Sequence, residues 1–304
     1  MNPDPKTMLV LNPHAGKGLG LKTFAAIRAR LEQQIKNMEV RVSDHAGHAF
    51  QIGREAAGQG FERIVTVGGD GTPFEIVNGL YAAGRPRQAV ALGIVPAGTG
   101  NSFLRDFSGI SWRAAVDTIL SGRQRKVDLV EISYRQDETE VKRYFLNILG
   151  VGLIADILKL TNEKLKCFGS LSYSLAVLLR LAGGMRNRMQ LTMDGERLDI
   201  TDSALVISNS KYTGGNMKIA PMADTQDGMA DVIIFRGVNR RDILSIFSRV
   251  FKGSHIHHGK VKTYRAASVS IDSCPQQRLM ADGELLGMTP LRLTGLPRVL
   301  TILA

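Results

Sequence analysis

GGDGTPFEIVNG, residues 68–79, sets two glycines, an aspartate, a third glycine and a threonine between the apolar run RIVTV (63–67) and the helix-like stretch PFEIVNGL (73–80). Glycines at a strand-to-helix turn let backbone N–H groups approach an anion, and the following helix N-terminus adds partial positive charge. A tight turn with Asp70 as its cap has the same composition. Asp70 would repel a bare phosphate, so a phosphate site here calls for Mg²⁺ beside the carboxylate.

Working outward, the first 120 residues alternate. TMLVLN (7–12) is a strand-length apolar run, and LKTFAAIRARLEQQIKN (21–37) puts Phe24, Ile27, Leu31 and Ile35 on one helix face. MEVRVS (38–43), RIVTV and AVALGIVP (89–96) read as strands; HAFQIGREAAGQG (48–60), PFEIVNGLYAA (73–83) and SWRAAVDTILSG (111–122) read as helices. Ser111 is placed to cap the last of these and Gly122 to close it. This order predicts a Rossmann-like α/β domain, a parallel sheet with helices on both faces. Glycine-rich turns follow three of its strands: NPHAGKGLG (12–20), GGDGT and PAGTGNSF (96–103). All three fall on the carboxyl edge of the sheet, where open α/β sheets bind ligands. Neither GxxxxGK[ST] nor GxGxxG fits, since Gly18 follows Lys17 and Leu21 stands at the third glycine position.

After about residue 125 the texture becomes strand-rich. KVDLVEISYR (126–135), VKRYFLNILGV (141–151), MQLTMD (189–194), ERLDITDSALVIS (196–208), ADVIIFRG (230–237), AASVSID (266–272), RLMAD (278–282), LRLTG (291–295) and RVLTIL (298–303) are the runs. Helical inserts are expected at about 153–183 and at 240–253. The predicted domains are residues 1–125 and a β-rich, sandwich-like 126–296, with 297–304 able to rejoin the first; the lack of a flexible linker predicts close packing around an interdomain cleft. The tripeptide Asp-Gly-Glu occurs twice, at 194–196 and 282–284. Asp-Gly between strands signals a hairpin. On an extended segment Asp282 and Glu284 would point to one side, as a pair able to accept a hydroxyl proton.

Of 304 residues, 39 are Lys or Arg and 28 Asp or Glu, a net charge of +11. That favours polyanionic partners. The scattered basic residues and the single Trp argue against nucleic acid. An anionic membrane surface is the better match, because each nearby Lys or Arg contributes about 1 kcal/mol. The start, MNPDPKTMLVLNP, lacks a basic n-region, so no secretory signal is expected, and no run reaches the ~18 apolar residues of a membrane span. Cys167 and Cys274 fit buried thiols in a reducing cytoplasm. HIHHG (255–259) reads as a polar helix end near Lys252, Lys260, Lys262 and Arg265 rather than a zinc site. Residues 159–189 mix apolar residues with basic edges, which suits core packing or a membrane-facing helix pair.

LNPHAGKG, VGGDGTPFEIVNGL, GIVPAGTGNSF and MADGELLGMTPL, in this order and spacing, resemble the diacylglycerol kinase catalytic-domain family, which includes ceramide and sphingosine kinases. The resemblance spans essentially the whole chain. It implies a phosphofructokinase/NAD-kinase-like first domain that binds ATP and a second domain that admits a lipid. ATP contacts carry over to Asn12, Pro13, Gly16 and Lys17, to Ser43, to Gly69, Asp70, Gly71, Thr72 and Glu75, and to Thr99. Glu284, with Asp282, becomes the group that activates the lipid hydroxyl, and Asp70 orders the metal-phosphate network. The segment ADTQDGMADV (223–232) would hold a structural Mg²⁺ through Asp224, Asp227 and Met229. Two positions depart from the pattern: Phe74 replaces an Asn of the second loop, and Ser102 replaces an Asp that helps hold Mg²⁺.

The sequence thus predicts an ATP- and Mg²⁺-dependent lipid kinase, cytoplasmic and peripheral on an anionic membrane, with a homodimer allowed. Two other readings stay open. One is a kinase of a soluble substrate such as NAD. The other is a lipid-binding or regulatory protein without catalysis, which Phe74 and Ser102 keep alive.

Overall fold

The structure, a computed structural model, describes residues 5–107, 111–137, 139–160 and 187–304. The chain forms two compact units. One comprises Met1–Leu129, Gly214–Asn216 and Pro297–Ala304; the other comprises Val130–Thr213 and Met217–Leu296.

In the first unit β1 (Thr7–Leu11), α1 (Leu19–Gln34), β2 (Met38–Val42), α2 (His48–Ala56), β3 (Arg63–Gly68), α3 (Gly71–Leu80), β4 (Ala91–Pro96) and α4 (Trp112–Ser121) follow one another as the sequence reading expected. The strands pair in parallel in the order β2-β1-β3-β4, and Thr301 and Ile302 extend the sheet beside Ala91 and Leu92 of β4. Leu9, Leu11, Val65 and Val67 pack with Phe24, Ile27 and Leu31 of α1 and Val116 and Ile119 of α4. Met8, Val10 and Ile64 alternate to the other face and are fully buried as well. Burial on both faces is why these strands read as continuous apolar runs. Gly53 and Gly79 bring α2 and α3 together closely: a Cβ on Gly79 would lie 2.1 Å from the Phe50 carbonyl oxygen. Ser111 caps α4 by accepting from the Ala114 amide at 3.5 Å, and Gly122 closes it in the left-handed region at φ 67°.

The second unit is antiparallel. In chain order its elements are β5 (Gln124–Gln136, which begins in the first unit), β6 (Thr139–Phe145), β7 (Ile148–Val151), α5 (Leu153–Leu160), β8 (Arg188–Met193), β9 (Glu196–Thr201), β10 (Ser203–Ser208), β11 (Ala230–Arg236), α6 (Arg240–Val250), β12 (Val261–Ala266), β13 (Ser268–Cys274), β14 (Arg278–Ala281) and β15 (Glu284–Leu303). One ladder runs β12-β11-β10-β7-β14-β15. Another joins β15 to β13, β8 and β9. Leu153 and Ile157 of α5 and Ile246 and Val250 of α6 cover a core formed with Ile148, Val206, Ile233 and Phe235.

Five readings of the second half need correction. The run 196–208 is two strands, β9 and β10, parted at Asp202 in the left-handed region (φ 47°). Cys274 is exposed rather than buried. The run 141–151 is two strands, because the chain turns at Leu146 and Asn147 to bond Asp282. The runs 291–295 and 298–303 belong to the single long strand β15. Strand β12 was missed, since VKTYRA buries only its two ends and carries polar groups between them. The helical insert expected at 153–183 is α5 up to Leu160, and its remainder lies outside the described residues. In HIHHG, His255 is fully buried with Nε2 3.0 Å from the Ile219 carbonyl oxygen, a packing role.

Candidate active site

In the first unit the carboxyl ends of β1, β3 and β4 carry the three glycine-rich loops. A Cβ on Gly98 would lie 2.4 Å from Cα of Gly69, and one on Gly16 2.3 Å from the Ala97 carbonyl oxygen. The loops therefore meet backbone to backbone, which no side chain would permit. Gly16, Lys17 and Gly18 are consecutive in the left-handed region, at φ 56°, 59° and 91°. For Lys17 that conformation is strained, and it leaves the ammonium in solvent at the loop surface. Thr99 is also exposed, while Asn101 (φ 49°) closes its own loop with two bonds to Gly98, of 3.0 and 2.8 Å.

Asp70 ties the second loop to the third. Its Oδ1 accepts from the Ser102 amide at 2.7 Å and the Phe103 amide at 3.5 Å. Burial pushes the Asp70 carboxyl above its ordinary value, opposed by hydrogen bonds from the Ser102 amide and hydroxyl, Phe103 and Asn101. Ser102 itself is buried, and its hydroxyl accepts from the Gly215 amide at 3.0 Å. The residue that departs from the family pattern is thus a partner of Asp70, and a carboxylate in its place would stand against the one already there. Phe74 is buried in α3.

The other expected residues divide. Asn12 Nδ2 donates to Thr72 Oγ1 at 3.3 Å, and the Asn12 amide to the Val67 carbonyl at 3.0 Å, so these two lock β1 to β3 and the start of α3. Pro13 sits half-buried in the same loop. Gly69 and Gly71 flank Asp70. Ser43 is buried at the end of β2, its hydroxyl 3.4 Å from the Leu11 carbonyl. Glu75 accepts from the Gly47 amide at 3.0 Å, which places its carboxylate at the N-terminus of α2, where Gly47 supplies no cap of its own.

In the second unit Asp282 and Glu284 do not sit on an extended segment. Asp282 (φ 48°) and Gly283 (φ 91°) form a two-residue turn between β14 and β15, as a type I′ hairpin requires. The Asp282 carboxylate turns inward and accepts from the amides of Leu146, Asn147 and Ile148 at 2.7, 2.9 and 2.9 Å. Glu284, the first residue of β15, is exposed. Asp282 is therefore a clamp on the backbone, and the turn does not give the extended, same-side pair expected. Asn147, Asn209 and Ser210 complete this buried polar knot, with Ser210 Oγ 2.9 Å from Asn147 Oδ1 and Asn209 Nδ2 2.9 Å from the Leu146 carbonyl. Sequence reading missed all three; the polar pair Asn209-Ser210 just after an apolar strand was the available signal.

Asp224, Asp227 and Met229 share one turn, in which Asp224 accepts from Gln226 and Asp227 from the Met229 amide. Asp227 also pairs with Arg265. Asp231, nearly fully buried two residues on, has an Oδ1 without a hydrogen-bond partner and is pushed up to about 7 by burial and by Asp224. Clustered carboxylates in a turn suit a hard cation, and in this structure the cation beside them is Arg265, whose Nε also lies 3.6 Å from Asp231 Oδ1. Among the described residues no three His, Cys, Asp or Glu side chains are already gathered as ligands.

Residues 6–132 match the family model of the diacylglycerol kinase catalytic domain, and residues 147–304 that of the YegS C-terminal NAD kinase beta sandwich-like domain. A Mycobacterium tuberculosis protein named diacylglycerol kinase is 28% identical over 98% of this chain and 94% of its own length. A Bacillus subtilis protein of the same name is 28% identical over 94% and 91%. Among solved structures, a diacylglycerol kinase of Bacillus anthracis superposes over 100% of this chain and 98% of its own (TM-score 0.73, 21% identity). A yeast NADH kinase covers 99% and 83% (TM-score 0.55, 11% identity), a likeness of fold alone. The α/β first half and β-rich second half are those expected from the sequence.

Two substitutions test this geometry. Asp70→Asn keeps an oxygen for the Ser102 amide and buries no charge. Because the carboxyl is raised, the native state holds its proton more tightly than the unfolded chain, and this group's contribution to stability declines as pH rises through the raised value. The Asn variant should melt no lower than wild type at neutral pH and lack that decline; a lower melting temperature would contradict the assignment. Asp282→Ala strands three amides and should lose about 3 kcal/mol in chemical denaturation, whereas Glu284→Gln should lose almost nothing. Equal losses would refute the inward turn of Asp282.

Proposed function

Residues 6–132 belong to the diacylglycerol kinase catalytic-domain family and residues 147–304 to the YegS C-terminal domain family, and from that premise we propose that the chain is a lipid kinase that transfers the γ-phosphoryl of ATP to the hydroxyl of a diacylglycerol-like or sphingoid-like lipid at the cytoplasmic surface of a membrane. The observation that carries this is the closure of three glycine loops around Asp70 beside the exposed Lys17. Loops without side chains admit the phosphates, Lys17 and the N-terminus of α3 supply positive charge, and Thr99 lies at the rim. Glu284, presented by the Asp282 turn, accepts the lipid hydroxyl proton. Mg²⁺, when bound, would neutralise charge on the phosphates, and Asp70 is the carboxylate of these loops that would help hold it. Asp224, Asp227 and Met229 would hold a second, structural Mg²⁺ in their turn, in exchange for the Arg265 pairing of Asp227. No helix among the described residues is long and apolar enough to cross a membrane, which suits docking from the surface. The curated relatives named diacylglycerol kinase favour a lipid over NAD. Ser102 supports the rival reading, a lipid-binding protein without turnover.

Labelled ATP, offered with diacylglycerol, sphingosine, ceramide and phosphatidylglycerol and with NAD as control, should label diacylglycerol or sphingosine. Glu284→Gln should cut the rate about 10²–10⁴-fold, the usual range for a general base. Label in NAD alone would redirect the assignment, and no label in any acceptor would favour the rival. Separately, Mg²⁺ should raise the melting temperature of the wild type and not of Asp227→Ala; an equal rise in both would remove the structural site.

A further inference from the structure

The net charge of +11 is unevenly distributed. Residues 236–265 hold eight basic side chains (Arg236, Arg240, Arg241, Arg249, Lys252, Lys260, Lys262 and Arg265) against one acid, Asp242. This thirty-residue stretch supplies seven of the eleven net positive charges. Asp242 is already engaged, bonding the Asn239 amide at the helix start and Lys260 Nζ at 2.7 Å. Helix α6 lies in the middle of the stretch. Its Ile246 and Val250 face the core, while Leu244 is 57% and Phe251 42% exposed. Phe247 and Phe251 meet edge to face at 5.5 Å. At about 3.6 residues per turn, Leu244, Phe247 and Phe251 form one stripe on the outer face. Arg241, Arg249 and Lys252 form the stripe beside it, all exposed. A core helix has no use for an outward Leu and Phe, and a purely solvated one would carry polar groups there. An apolar stripe flanked by cations is the arrangement of a helix that lies in a membrane interface.

We propose that α6 docks the protein on anionic phospholipid, with Leu244 and Phe251 entering the acyl boundary and Arg241, Arg249 and Lys252 engaging headgroup phosphates. The inference rests on the membrane-surface reading above and names the surface used. Charge complementarity selects the partner. A second copy of this chain would set like-charged stripes against each other, and a nucleic acid would leave the exposed Leu and Phe unused.

The test is co-sedimentation with phosphatidylcholine vesicles, with and without phosphatidylglycerol, in the absence of ATP and diacylglycerol, so that a failed kinase assay and a failed binding assay remain separate results. Wild type should partition at least about tenfold more to the anionic vesicles and lose this in high salt. Arg249→Glu/Lys252→Glu should lower anionic binding at least about tenfold. Leu244→Ser/Phe251→Ser should lower it several-fold with circular dichroism and melting unchanged, since both side chains are exposed. Wild-type binding by either double variant, or equal binding of wild type to neutral and anionic vesicles, would overturn the proposal. So would light scattering in which wild type is a dimer that Leu244→Ser/Phe251→Ser dissolves, or charge-dependent binding of a DNA duplex with no vesicle binding.

Discussion

The first unit depends on one buried carboxylate. Asp70 stands at the end of β3, and its Oδ1 takes the amides of Ser102 and Phe103 from the loop after β4. Two neighbouring strand ends are thereby held at a fixed spacing. The contact between Gly69 and Gly98 follows from it, because loops drawn this close have no room for a Cβ. Burial makes the charge costly, and the hydrogen bonds around it offset only part of that cost. A cation at this edge would offset the rest, and in the proposed use of ATP only the Mg²⁺, not the anionic nucleotide, could supply it.

Ser102 gains meaning from this arrangement. Its amide and hydroxyl both favour the charged form of Asp70, and the hydroxyl also receives the Gly215 amide. An Asp at 102 would add a second negative charge beside a carboxyl already raised by burial, a juxtaposition that only a cation could stabilise. With Ser the loop closes by hydrogen bonding alone. A divalent ion proposed for this site would then face fewer charged oxygens than an Asp at 102 would give it.

Much of this was legible in the sequence, for identifiable reasons. Strands buried on both faces announce themselves as apolar runs, and α1 shows its buried face in Phe24, Ile27 and Leu31. The loops were found because glycine is required where backbones touch. What could not be read were contacts distant in the chain: the direction in which Asp282 turns is set by amides more than 130 residues away, and Leu146 and Asn147 leave their strand to meet it. Strand β12 was hidden because its outward side chains are those of a basic edge strand rather than of an apolar core.

The two Asp-Gly-Glu turns show what the hairpin signal does and does not determine. Both adopt the same backbone, with Asp at φ 48° and Gly near 90°, and both turn the Asp carboxylate onto backbone amides. Asp194 takes those of Ala267 and Ser268 at the surface, and Asp282 takes three in the interior. The aspartate in such a turn is therefore a clamp in each case, and its depth decides how firmly it holds. The residue that follows the glycine is what differs in use. Behind a shallow clamp, Glu196 is one more exposed side chain on a hairpin. Behind a deep one, Glu284 is exposed from a backbone fixed on its inner side, which is what the proposed proton-accepting role would require.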